Sequence, residues 1–266
     1  MTLATVIVFW AALLFLFYTY VGYPLIACLG ALWQRHPVNK DKMYSPRVSF
    51  LILAHNEEKV IRRKLENVLS LEHQGEKPEI LVASDGSTDD TNKIASEFKD
   101  RGVSLLPFPK RAGKTQVLNQ AVPLCRGEIV VLSDARQIYA PNAIIELIAN
   151  FSDVKVGAAT GDLQFQAIPN SKDGEQIGLY WKYEKWIRKL QSERDSTPVV
   201  TGAMYAIRKS LFRPLPTKCI ADDLAMPMSI IRQNHRVIFD PTAKAFDNYS
   251  RTLEEEFRKR VRTIAG

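Results

Sequence analysis

The side chains in this sequence that could do chemistry are mainly carboxylates and one lysine, and they stand where apolar runs end. Asp85 closes the run EILVASD and opens Gly86-Ser87-Thr88-Asp89-Asp90-Thr91. Asp134 closes EIVVLSD and is followed by Ala135-Arg136, and His55-Asn56-Glu57 follows SFLILA. The pair Asp222-Asp223 precedes LAMPMSII. A carboxylate at the end of a buried run can accept from a ligand's N–H or hydroxyl, and a neighbouring glycine lets backbone approach closely. Thr88, Asp89 or Asp90 can cap a following helix, but capping leaves Asp85 without a task. Adjacent carboxylates at a helix start can divide the work: one caps backbone N–H groups, the other faces a cleft as a general base. A like-charged neighbour raises one carboxyl's pKa, which brings a base towards neutral pH.

Gly113-Lys114-Thr115 ends like a phosphate-binding loop. The glycine that such a loop needs five residues before Gly113 is Phe108, and Pro107 and Pro109 stiffen the segment. A nucleotide hydrolase of that class is therefore disfavoured, while Lys114 can still meet a diphosphate as a point charge. Cys28, Cys125 and Cys219 have no metal-site spacing and read as reduced thiols. The four histidines form no paired pattern, so no zinc site is expected. The net charge of +7 suits an anionic membrane surface or a phosphate-bearing ligand. No basic helix or zinc-finger spacing accompanies it, so nucleic acid is not an expected partner.

The elements that must position these groups alternate. RVSFLILAHNEE, EILVAS, VSLLPF and EIVVLSDA read as strands; EKVIRRKLENVLSLE, TDDTNKIASEF, GKTQVLNQAVPLC and PNAIIELIANF read as helices. Strands alternating with helices predict an α/β fold with a parallel sheet covered on both faces. In such a sheet ligands bind beyond the carboxyl ends of the strands, where Glu57, Asp85 and Asp134 fall. Residues 150–200 read less regularly, with a long helix over GLYWKYEKWIRKLQSER.

Residues 3–33 carry no charge, and a membrane-crossing helix needs about 20 apolar residues. Pro24 is expected to kink or split that helix. Arg35, Lys40, Lys42 and Arg47 follow against a single Asp41, which predicts that everything after Trp33 is cytoplasmic. The expected organisation is a transmembrane anchor over 1–33, a basic juxtamembrane linker over 34–45 and a catalytic domain over 46–266.

The segments LILAHNEE, SDGSTDDT, GKTQVLNQA, SDA, TGAMYAIRKS, ADDLAMPMSIIRQNHRVIFDPTA and RKRVRTIAG occur in that order. Together they resemble the processive-type family 2 glycosyltransferases, relatives of cellulose, hyaluronan and poly-N-acetylglucosamine synthases, over about residues 45–266. The resemblance implies a GT-A nucleotide-diphospho-sugar transferase fold, a divalent cation (Mg²⁺ or Mn²⁺) and inversion at the anomeric carbon. It further implies a nucleotide-sugar donor, with a UDP-sugar expected, and a saccharide or lipid-linked acceptor. Ala54, His55 and Glu57 match the strand end that holds the nucleoside, and Asp85 the carboxylate on its uracil and ribose side. Lys114 matches the position near the nucleotide, and Asp134 the first carboxylate of the Asp-x-Asp, hence the metal ligand. Asp222-Asp223 matches the pair whose second member is the general base. Gly202 and Ala203 match the loop near the acceptor, and Arg260 and Arg262 the region over the diphosphate.

Two departures are visible. Arg136 replaces the second carboxylate of Asp-x-Asp, so the cation is expected to rest on Asp134 and the donor diphosphate. The closing motif ends Arg262-Thr263 and lacks the stacking aromatic. Leu253, Phe257, Val261 and Ile264 make one apolar stripe there, with Arg260 inside it and Arg262 opposite. The family continues into further membrane helices, so the resemblance implies a chain cut short or a partner membrane subunit. A nucleotide-sugar-binding module without catalysis is the alternative reading.

Overall fold

The computed structural model describes residues 2–166, 172–217, 219–248 and 261. Helix α1 (Leu3–Phe17) continues through a π-helical turn (Tyr18–Gly22) into α2 (Tyr23–Trp33). Then come β1 (Val48–Ala54), α3 (Ile61–Leu69), β2 (Glu79–Asp85), α4 (Thr91–Ser96), β3 (Val103–Phe108), α5 (Lys114–Leu124) and β4 (Ile129–Asp134). The rest is β5 (Ile138–Tyr139), α6 (Ala143–Ala149), β6 (Val156–Gln166), α7 (Lys172–Arg194), β7 (Tyr205–Arg208), α8 (Asp222–Ile231) and β8 (Arg236–Asn248).

One eight-stranded sheet runs β3-β2-β1-β4-β7-β6-β8-β5. The half built from β3, β2, β1 and β4 is parallel, as the alternating pattern predicts. The other half is mixed: β7 pairs antiparallel with β4 and β6, β6 pairs parallel with β8, and β5 pairs antiparallel with β8. The sheet is therefore mostly parallel, with its antiparallel pairs confined to β7 and β5. Side chains alternate along β1: Phe50 and Ile52 enter the core under α3, α4 and α6, and Leu51 enters the core under α5 and α8. Burial on both faces makes the parallel strands read as unbroken apolar runs.

The residues just before α3 and α4 are spent on loop-to-loop bonds, so both helices start later than their sequence patterns. Asp89 accepts from the backbone N–H of Thr91 and of Glu58, at 3.0 and 3.1 Å. Asn56, at φ +54°, accepts from the N–H of Thr88 at 2.9 Å. The polar cluster after β2 thus ties the β1 and β2 ends together. Gly86 sits at φ +61°, and a Cβ there would lie 2.4 Å from the backbone nitrogen of Arg111. Its freedom admits the 110–113 loop.

Pro24 acts through its missing N–H. It cannot donate to the carbonyl of Tyr20, four residues back, and that carbonyl accepts the phenol of Tyr183 on α7 at 2.8 Å. Ala27 and Ala31 of α2 pack with Leu190 of α7. The segment between α2 and β1 is also fastened. Lys40 binds buried Asp240 at 2.7 Å and Lys42 binds buried Glu146 at 2.5 Å.

Candidate active site

The parallel strands are in register at their carboxyl ends: Ala54 pairs with Ser84, and Leu53 with Asp134. Since β7 is antiparallel to β4, with Tyr205 opposite Leu132, the residues before it arrive at the same edge. This brings Gly202 and Ala203 to the strand ends that carry Asp85 and Asp134. Lys114, the first residue of α5, reaches the centre of that edge. Its ammonium lies 3.3 Å from Asp134 and 3.2 Å from Asp222. A Cβ on Gly202 would come 3.1 Å from the same ammonium, so this position suits glycine. Burial lowers the lysine's pKa, but the charges of Asp134 and Asp222 outweigh it and hold the group above its usual range.

Asp222 is buried, and the Lys114 ion pair is what faces its Oδ2. Burial raises its pKa, Lys114 opposes this, and Asp223 and Asp134 add to it. The expectation that one of the pair caps its helix is corrected: the N-cap residue of α8 is Ala221, and no side chain caps there. Asp223 is half-buried. Its backbone is held by a device the sequence reading did not use. Pro227 lacks the N–H that would bond the carbonyl of Asp223, and that carbonyl accepts from the N–H of Val200 at 2.9 Å. The proline inside α8 thus ties the carboxylate pair to the loop before Gly202.

Asp85 is buried, and both its oxygens are engaged by the loop before α5, accepting from the N–H groups of Ala112 at 2.6 Å and Gly113 at 2.9 Å. His55 Nδ1 lies 2.6 Å from the carbonyl oxygen of Asp85. Ala54 is buried beside them. Glu57 is half-buried; burial raises its pKa, Arg136 lowers it, and Asp134 and Asp89 raise it further. Arg136 itself is exposed. Ala203 is buried, and its carbonyl accepts the phenol of Tyr139 at 2.7 Å.

Among the described residues no cluster of three or more histidine, cysteine, aspartate or glutamate side chains could hold a metal ion. The donor set instead fits an ion that arrives with a diphosphate, since Mg²⁺ usually takes one or two carboxylates plus phosphate oxygens. Asp134 is about two-fifths exposed at this edge and is paired with Lys114. Arg260 and Arg262 lie outside the described residues.

Sequence reasoning missed several groups around this edge. Tyr205 is buried, and its phenol is pushed well above its usual pKa by burial and by Asp222, Asp134 and Asp223. Arg188 of α7 donates to Thr201 at 2.9 Å and pairs with Glu184. Lys64 is wholly buried within α3. Its spacing with Ile61, Leu65 and Val68 places it on the apolar stripe, a signal the sequence does contain.

The glycosyl transferase family 2 profile matches residues 49–215. The chain belongs to glycosyl transferase family 2. It is 26% identical over 241 residues to the poly-β-1,6-N-acetyl-D-glucosamine synthase of Staphylococcus aureus (strain COL), covering 89% of this chain and 58% of that protein. It is 27% identical over 241 residues to the probable glycosyltransferase YdaM of Bacillus subtilis (strain 168), covering 83% of this chain and 55% of that one. The chain thus spans little more than half the length of these curated relatives. Among solved structures it is similar to the mannosyltransferase PcManGT of Pyrobaculum calidifontis, in complex with GDP-Man and Mn²⁺. The TM-score is 0.76 at 24% identity, covering 94% of this chain and 71% of that one. It is also similar to residues 1–349 of S. aureus TarS in complex with UDP, with a TM-score of 0.58 at 16% identity over 82% of this chain and 64% of that one. These likenesses establish the GT-A fold of this family 2 domain. At the other end of the chain, Leu3–Trp33 forms a helix long and apolar enough to cross a membrane.

Proposed function

We propose that this family 2 domain is a membrane-anchored, inverting glycosyltransferase that moves a sugar from a nucleotide-diphosphate donor, a UDP-sugar, to a saccharide or lipid-linked acceptor. Residues 1–33 serve as the anchor, 34–45 as the juxtamembrane linker and 46–266 as the catalytic domain at the cytoplasmic membrane face. The observation that carries this reading is the meeting of Lys114, Asp134 and Asp222 beside Gly202 at the carboxyl edge of the sheet. Open α/β sheets bind their ligands at that edge.

Ala54, His55, Glu57 and Asp85 line the nucleoside side, with Asp85 also fixing the loop that delivers Lys114. Lys114 faces the diphosphate, and Arg260 and Arg262 are assigned to the same task. Gly202 and Ala203 leave room for the acceptor. Asp223 takes the proton of the acceptor hydroxyl as it attacks the anomeric carbon. Asp222 keeps Lys114 protonated and in place. Asp134 would hold a Mg²⁺ or Mn²⁺ ion, which when bound supplies positive charge to the leaving diphosphate.

Membranes containing the chain, offered a panel of labelled nucleotide sugars with Mg²⁺ or Mn²⁺, test this. Incorporation or hydrolysis of one UDP-sugar, lost in Asp223→Asn, is the expected result. Binding of UDP with no turnover of any donor would leave a nucleotide-sugar-binding module instead, the outcome that Arg136 in the second carboxylate position makes worth testing.

A further inference from the structure

A protonated lysine is costly to bury, yet Lys64 has no exposed surface. Its ammonium donates to the backbone carbonyl of Gln137 at 2.7 Å and lies 3.6 Å from the centre of the Tyr139 ring. One turn further along α3, Asn67 brackets Tyr139 from both sides. Its amide donates to the Tyr139 carbonyl at 3.0 Å, and its oxygen accepts from the Tyr139 N–H at 2.8 Å. The Tyr139 phenol then crosses to the carbonyl of Ala203 at 2.7 Å. An unbroken chain of contacts thus runs from α3, through the segment that follows Asp134, to the loop that carries Gly202.

We propose that Lys64 and Tyr139 form a buried strut that sets the Asp134–Arg136 loop and the Gly202–Ala203 loop at their working separation, which makes both of them positioning residues for sugar transfer. The strut spans two loops that have no ladder contact with each other: Asp134 ends β4, and Gly202 precedes β7. Their separation is otherwise set by the β4–β7 ladder, which stops at Leu132–Tyr205, by the Lys114–Asp134 ion pair and by the bonds of Thr201 to Thr160 and Arg188, and the strut adds a tie beyond the last ladder pair. A hydrocarbon side chain at position 64 would fill the same space with no desolvation cost, so burial by itself does not call for a lysine. What the lysine adds is an N–H bond directed at one carbonyl, which it keeps whether protonated or neutral, and a contact with one ring that is cationic when the group is charged. The catalytic part of this inference rests on the proposed glycosyltransferase reading.

The test compares the full-length wild-type chain with Lys64→Met and Tyr139→Phe in detergent or nanodiscs. Hydrogen exchange, which needs no ligand, reports the strut. Lys64→Met should speed exchange at least tenfold in peptides covering 134–139 and 201–205. Tyr139→Phe should do so over 201–205 and leave 134–139 unchanged, with β1 and β2 protected in both. Unchanged exchange in both segments would overturn the strut. Turnover of the donor found in the nucleotide-sugar panel should fall at least tenfold in kcat for each variant, well below its melting temperature, with UDP affinity in Mn²⁺ changed less for Tyr139→Phe than for Lys64→Met. Altered exchange with full kcat would overturn the positioning role. A wild-type chain that turns over no donor would defeat the glycosyltransferase reading, while the exchange data would still decide the strut.

Discussion

Asp222 and Asp223 are neighbours in sequence with unlike surroundings. Asp222 is buried against Lys114, while Asp223 is half-buried and has its carbonyl fixed by Val200. Burial raises the pKa of Asp222 on balance, but its carboxylate is occupied by Lys114, whereas Asp223 is the more accessible of the two and is the proposed base. Asp223→Asn should keep donor affinity and lower transfer about 10²- to 10⁴-fold, the usual loss when a general base is removed. Asp222→Asn should lose less rate but destabilise the fold, since it leaves Lys114 with Asp134 alone. Near-normal transfer by a folded Asp223→Asn protein, measured with labelled donor, would move the base to Asp222. Lys64 supports a second expectation. Burial pulls its pKa from 10.5 down to about 7, with Asp134 partly opposing. Between those values the unfolded chain binds the proton that the folded chain has released, so stability rises with pH there. Below pH 7 the penalty for burying the charge is present in full. Relative to Lys64→Met, the wild type should therefore gain about 2 kcal/mol between pH 7 and 9. Denaturant titrations at the two pH values check this, and a constant difference would mean that Lys64 does not titrate in that window.

At the scale of elements, the segment between α2 and β1 is a strap. Asp240 accepts from Lys40 at 2.7 Å, from Asn150 at 2.6 Å and from the Thr242 hydroxyl at 2.6 Å. Burial raises the pKa of Asp240, but these partners outweigh it and hold the group below 3.8. The stability this contributes is fully present above the unfolded pKa and is lost as pH falls through the lowered folded value. Asp240→Asn should cost about 3 kcal/mol at pH 7, as when one partner of a buried pair is removed. The cost should shrink as the pH drops below 4. Thermal melts at pH 7 and pH 3.5 that show the same difference would contradict this. The strap was not legible in the sequence, where Lys40 and Lys42 read as juxtamembrane charge. The parallel half of the sheet was legible, because strands buried on both faces are apolar without interruption. Strands β6 and β8 were not, because Gly157, Gly161 and Pro241 break their patterns. Pro241 lies where the register slips from Gly161–Asp240 to Asp162–Lys244, a bulge that a proline tolerates. The site followed the same rule. Lys114, Asp134 and Asp222 could be picked out individually, but they stand on three separate elements, α5, β4 and α8, and their meeting is tertiary, which no local pattern records.

At the scale of the whole molecule, the family 2 domain is fixed to its apolar helix. Tyr183 bonds the Tyr20 carbonyl, Leu190 packs on Ala27 and Ala31, and Arg35 pairs with Glu193 at 3.5 Å. Contacts from Tyr20 to Arg35 make α7 a bracket between the apolar helix and the loop before Gly202, with Arg188 linking α7 to Thr201. The side of the membrane that this bracket faces can be read with the chain's own thiols. Cys125 is buried, and burial together with Glu79 pushes its thiol up to about 12, so it is unreactive at neutral pH. Cys28 lies in α2 and can be replaced by alanine. Cys219 is half-buried, on the segment whose carbonyl accepts from Thr115 beside Lys114, which leaves it as the reporter. The basic residues after Trp33 predict a cytoplasmic domain. A membrane-impermeant maleimide should therefore leave Cys28→Ala protein unlabelled in intact cells and label it in inverted vesicles. Detergent-opened cells supply the control that Cys219 is reachable at all. Labelling in intact cells would place the domain, and with it the proposed donor site, on the opposite face, away from the nucleotide sugars that the cytoplasm supplies.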